Sequence, residues 1–174
     1  PVISVNGSNP ATVELGSAYS DAGATAMDAN HGSTSVSTSG TVDTDTVGSY
    51  TLTYTATDKD GNSASASRVV NVVDTTAPVV TLTGDNPVTT ELGATYTDAG
   101  ATATDLSGAV EVVTSGTVDT DTVGEYTLTY TSTDASGNAG TASRTVNVVD
   151  TTNPVVTVTG DNPATTELGD TYTD

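Results

Sequence analysis

The most regular stretch of the chain is Tyr50-Thr51-Leu52-Thr53-Tyr54-Thr55-Ala56, in which apolar residues alternate strictly with threonine. A period of two sends alternate side chains to opposite faces of a strand, so this segment predicts a half-buried β-strand. The same pattern returns at 126–132. A further run, 66–73, places Val70 and Val72 on one face, and the opening residues place Ile3 and Val5 inward, matched by Val80 and Leu82. Asn-Pro, Leu-Gly and Asp-Gly-Asn signals separate these runs at short intervals. Threonine is the commonest residue and, with valine, favours strands over helices. No segment sustains a 3.6-residue period, so essentially no helix is expected.

The pattern is also periodic on a larger scale. Pro1-Val2-Ile3 returns as Pro78-Val79-Val80 and as Pro154-Val155-Val156, spacings of 77 and 76 residues. The chain therefore divides into a copy over 1–77, a second over 78–153, and the incomplete start of a third over 154–174. The run TSGTVDTDTVG begins at both Thr38 and Thr114, and the copies differ in length by one residue within 29–33, which marks that stretch as a loop. About seven short strands per copy is the size of a small immunoglobulin-like sandwich. The predicted fold is thus all-β, tandem seven-stranded immunoglobulin-like β-sandwiches. Gly48-Ser49-Tyr50-Thr51-Leu52 has the form of a tyrosine corner, with Tyr50 at the start of the sixth strand and Leu52 where antibody domains place cysteine.

Four motifs carry a family resemblance: NPATVELG from Asn9, YSDAGATAMD from Tyr19, GSYTLTYTATDKDGN from Gly48 and VVDTTAP from Val72. All recur in the second copy. They resemble the bacterial immunoglobulin-like repeats, related to the hyalin-repeat group, that occur in tandem in large secreted and surface proteins. The resemblance implies a secreted, extracellular location at a bacterial surface and a spacer or adhesive role. It is far more specific to fold than to function.

Composition narrows the partners. Formal net charge is −19, and Lys59, Arg68 and Arg144 are the only side-chain cations apart from His31. Such a surface repels phosphate backbones and anionic lipid heads, so neither nucleic acid nor membrane insertion is expected, whereas divalent cations are concentrated near it. Absence of cysteine removes disulfides, thiolate metal sites and cysteine nucleophiles. Pro1 already lies at a repeat boundary, so the chain reads as a window of something longer.

Strand order places the candidate chemistry. In the second copy the B–C loop carries Asp105 and the F–G loop carries Asp134 and Asn138. In the first, the A′–B turn carries Glu14, the E–F region carries Asp43 and Asp45, and the linker carries Asp74. These two poles face each other across the joint at 74–78. Carboxylates converging there repel unless a cation lies among them, and Ca²⁺ takes six to eight such oxygens. The alternative is that these residues cap turns and stay solvated. The segment Asp58-Lys59-Asp60-Gly61-Asn62 reads as a turn with Gly61 at positive φ, because the second copy lacks Asp60. Arg68 and Arg144 are expected on an exposed strand edge. His31, the only histidine, lies in the variable loop, and no nucleophile–base arrangement repeats, so an enzyme is not expected.

The leading expectation is a structural repeat of an adhesin or stalk, its partners being neighbouring repeats of the same chain and its ligand carried on other domains. Two alternatives stay open. One is a filament subunit in which 154–174 completes the sandwich of an identical subunit, head to tail. The other is a glycan-binding accessory module of a secreted hydrolase.

Overall fold

The structure, a computed structural model, describes residues 1–161 and 163–173. The first copy contributes β1 (Val2–Val5), β2 (Ala11–Glu14), β3 (Ala24–Asp28), β4 (Gly32–Thr34), β5 (Val36–Ser39), β6 (Gly48–Thr57) and β7 (Ser63–Val73). One sheet has the order β1-β3-β4, the other β2-β7-β6-β5. The pairing of β2 with β7 is parallel and the others are antiparallel. The second copy repeats this with β8 (Val79–Leu82), β9 (Val88–Glu91), β10 (Ala101–Thr104), β11 (Val112–Ser115), β12 (Gly124–Thr133) and β13 (Ala139–Val149). Its sheets are β10-β8 and β11-β12-β13-β9. The counterpart of β4 is missing because the loop is one residue shorter there and closes on an Asp105–Gly108 bridge. No described residue is helical, and residues of 154–174 that are described form no strand.

The alternation in β6 does what the sequence predicts. Leu52, Tyr54 and Ala56 are buried while the intervening threonines are half-buried, and Leu128, Tyr130 and Ser132 repeat the row in β12. Leu52, Tyr54 and Val70 form the centre of one core, with Ile3, Val5, Val13 and Val36 packed around it. Leu128, Tyr130 and Val146 do the same in the other. Each such side chain contributes about 1.5–3 kcal/mol through removal of apolar surface from water. The tyrosine corner is present in both copies: Tyr50 donates to the Thr46 carbonyl at 2.8 Å, and Tyr126 to that of Thr122 at 2.8 Å.

One expectation is overturned. Arg68 and Arg144 are not exposed edge charges but are among the most buried side chains, at 2% and 1% exposure. β7 and β13 are interior strands, paired with β2 and β9 over 70–73 and 146–149. Beside the arginines, the Asn9 and Asn86 side chains take up the backbone groups of Ser67 and Val69 and of Ser143 and Thr145. Arg68 also shares parity with Val70 and Val72, which points it into the core. Its Nη1 meets Asp21 Oδ1 at 2.5 Å, and the same oxygen accepts from Tyr54 at 2.7 Å. In the second copy Arg144 and Tyr130 converge on Asp98 Oδ1. The guanidinium carbons lie 5.9 and 5.6 Å from the Tyr54 and Tyr130 ring centroids. Burial pushes the Asp21 carboxyl up, but hydrogen bonds from Tyr54 and the Gly23 backbone, with Arg68 alongside, outweigh it and hold its pKa below the ordinary value. Burial and the hydrogen bond to Asp21 push the Tyr54 hydroxyl to about 12.

Candidate interdomain cation site

The site is built outward from the linker. β2 pairs with the end of β7, so the glutamate that closes β2 lies beside the residues leaving the sandwich. Glu14 accepts the Thr75 N–H at 2.7 Å, the Thr75 hydroxyl at 2.9 Å and the Thr76 hydroxyl at 3.1 Å. The Thr75 backbone donor, followed by its hydroxyl, holds the Glu14 carboxyl below the usual range. Glu91 holds Thr151 and Thr152 in the same way. The linker thus leaves each repeat in a fixed direction, and Asp74, its first residue, is turned into the joint and buried.

The next repeat brings two loops against it. Asp105 closes its turn by accepting the Ser107 N–H at 2.7 Å and the Ser107 hydroxyl. Asp134 accepts the N–H groups of Ser136 at 2.9 Å and Asn138 at 2.8 Å. Burial pushes the Asp134 carboxyl up, and hydrogen bonds from the Asn138 side chain and the loop backbone outweigh it, lowering its pKa. Asn138 Nδ2 donates both to Asp134 Oδ2 at 2.8 Å and, across the joint, to the Asp74 carbonyl at 3.1 Å. One carboxylate oxygen each from Asp74, Asp105 and Asp134 lies within 4.8 Å of the others. Asp74 is 8% exposed; its Oδ1 accepts the Thr76 N–H at 3.1 Å, while among the described residues its buried Oδ2 has no hydrogen-bond partner.

Apolar contact seals the flank. A Cβ at Gly16 would come within 2.5 Å of Leu106 Cδ2, so the A′–B turn and Leu106 are in direct contact. Leu15 is 6% exposed beneath this joint, whereas its counterpart Leu92 is 37% exposed. Pro78 is buried as well.

Of the seven residues the sequence singled out, the structure brings Asp74, Asp105 and Asp134 together and uses Asn138 to tie them across the joint. Glu14 stands behind the cluster, engaged by the linker. Asp45 lines the crevice between the repeats with Thr46, Val47 and Ser107, and Asp43 is exposed and accepts the Asp45 N–H at 3.0 Å. The first copy's corresponding pole carries Asp28 and Asp58 with His31 between them, His31 Nδ1 lying 3.1 Å from Asp28 Oδ1. Asp58 accepts the Asp60 and Asn62 N–H groups, and Gly61 has φ +88°, the turn that segment predicts.

Fold and joint together define a tandem pair of immunoglobulin-like sandwiches on a short, clamped linker. A family model described as "Bacterial surface protein, Ig-like domain" matches residues 3–72 and again 80–148, and the chain belongs to that family. It is 47% identical to a hyalin of Strongylocentrotus purpuratus over 138 residues, covering 69% of this chain and 11% of that protein. It is 41% identical to a hyalin of Lytechinus variegatus, covering 72% and 26%, and 33% identical to the serine-rich adhesin for platelets of Staphylococcus aureus strain N315, covering 79% and 6%. The chain thus spans a small part of each relative. A solved lipoprotein from Bacteroides thetaiotaomicron aligns at 30% identity and TM-score 0.38, covering 44% of this chain and 40% of that one.

Proposed function

We propose that this chain is a non-catalytic, extracellular spacer segment of a bacterial surface adhesin or stalk, in which Ca²⁺ stiffens the joint between repeats. The observation that carries this reading is the joint itself: a glutamate-clamped linker delivering Asp74 to the carboxylates of the next repeat. Family membership and the adhesin among the relatives support the surface location. The ligand chemistry, hard oxygen donors without nitrogen or sulfur, suits Ca²⁺.

Small-angle scattering of the chain in Ca²⁺ and in EGTA tests it. A joint held by the ion gives a narrow, extended distance distribution with Ca²⁺ that broadens in EGTA. The midpoint of thermal unfolding rises with Ca²⁺, by the equivalent of about 2.7 kcal/mol at a hundredfold excess over Kd. Identical scattering profiles and melting curves in the two buffers would sink the proposal.

A further inference from the structure

We infer that the joint cation is held by a composite site, Asp74 Oδ2 from the first repeat's linker together with Asp105 and Asp134 from two loops of the second, so that the site exists only when the joint is closed. This rests on the reading of Ca²⁺ at the joint and goes beyond it by assigning ligands, their ownership and the place among the described residues where they meet.

The buried, unpartnered Oδ2 of Asp74 is the decisive atom. A carboxylate oxygen removed from water without a donor is costly, and no lysine or arginine ion pair reaches this cluster among the described residues. The other carboxylates are already oriented: Asp105 by Ser107, Asp134 by the backbone and side chain of its loop. One carboxylate oxygen from each of the three aspartates lies within 4.8 Å of the others, a span that one ion with oxygens at about 2.3–2.6 Å bridges. Asn138 acts as a positioning residue, because its Nδ2 holds Asp134 and the Asp74 backbone in a single arrangement.

The chain contains matched controls. Asp28 and Asp58, the first copy's counterparts of Asp105 and Asp134, cluster with His31, whose Nδ1 lies 3.1 Å from Asp28 Oδ1. Asp150 is the counterpart of Asp74 and is exposed. Among the described residues, two of the three ligand counterparts are therefore present at one further place and one at another.

Calorimetric titration of the full chain with CaCl₂ separates these cases. Wild type binds one ion, and Asp74→Asn and Asp105→Asn each weaken binding by at least about tenfold, the loss expected when a carboxylate ligand is neutralised. Asp150→Asn and Asp28→Asn stay within about twofold of wild type, since neither supplies a ligand. In EGTA, Asp74→Asn melts no lower than wild type, because the amide oxygen can still accept the Thr76 N–H while the amide replaces a carboxylate whose buried Oδ2 has no partner. The inference is overturned if Asp28→Asn weakens binding as much as Asp105→Asn, if Asp74→Asn binds like wild type, or if Asp74→Asn melts lower in EGTA. Should the matched pairs separate while wild-type scattering ignores Ca²⁺, the composite site stands and the stiffening role falls.

Discussion

At the scale of single residues, the most consequential side chains are the two buried arginines. Each is inserted into a sandwich interior and neutralised by one aspartate that also accepts a tyrosine hydroxyl. Removing one partner of a buried pair leaves the other charge uncompensated, at a cost of about 3–5 kcal/mol. Asp98→Ala is therefore expected to destabilise the second repeat by that order, read from urea unfolding followed by Tyr fluorescence, while Asp85→Ala, on the surface, stays within about 0.5 kcal/mol. Part of this was legible beforehand. Tyr50 and its corner follow from the motif, and the row Leu52, Tyr54, Ala56 follows from alternation. The position of Arg68 could have been read from parity with Val70 and Val72, but the rule that a lone charge on a strand faces water masked it. The role of Asp21, 47 residues away, needed the fold.

Elements carry the joint. β2 is only four residues long, yet its parallel pairing with β7 sets Glu14 against the departing linker. Glu14→Ala should free the Thr75 amide, raising its exchange rate by about tenfold or more in hydrogen–deuterium exchange, as fits the loss of a local clamp. Unchanged protection would mean that the joint contacts alone hold the linker. The sequence placed the right loops at the right poles, since short antiparallel connections leave few topologies. It could not separate the residues that face the neighbour from those that serve their own turn. Asp43, Asp45, Asp74, Asp105 and Asp134 all look alike as loop carboxylates. Only the side-chain directions show that Glu14 faces the linker and Asp43 its own loop. The missing counterpart of β4 traces to the one-residue length difference that the alignment of copies already marks.

At the scale of the whole molecule, charge governs the response to pH. Hydrogen bonds from the Asn30 backbone and the neighbouring amine, outweighing burial, hold Asp28 at about 2, below its ordinary 3.8, and Glu14, Asp21, Glu91, Asp98 and Asp134 are also lowered. A group whose folded pKa is depressed contributes stability that is complete above the unfolded value and is lost as pH falls through the folded one. Tyr54 and Tyr130, raised from 10.0 to about 12, contribute stability that is complete below 10 and is lost as pH rises toward 12. The unfolding midpoint is therefore expected to be level near neutrality and to fall below about pH 4 and above about pH 10, measured by thermal melts across that range. A midpoint that rises on acidification would contradict the assignment. Repetition itself was plain in the sequence, and so was the acidic surface. How two copies meet was not, because Leu106 has no counterpart of its size in the first copy and its contact with Gly16 depends on the joint angle. That contact has a wider consequence. A leucine covered at 6% exposure in the first repeat, where its counterpart in the second is 37% exposed, means that the first repeat finishes its core with the surface of its neighbour. Such an array behaves like a one-dimensional chain of coupled spins, in which an interior unit borrows stability from both sides and failure under tension starts where a neighbour is absent and travels inward.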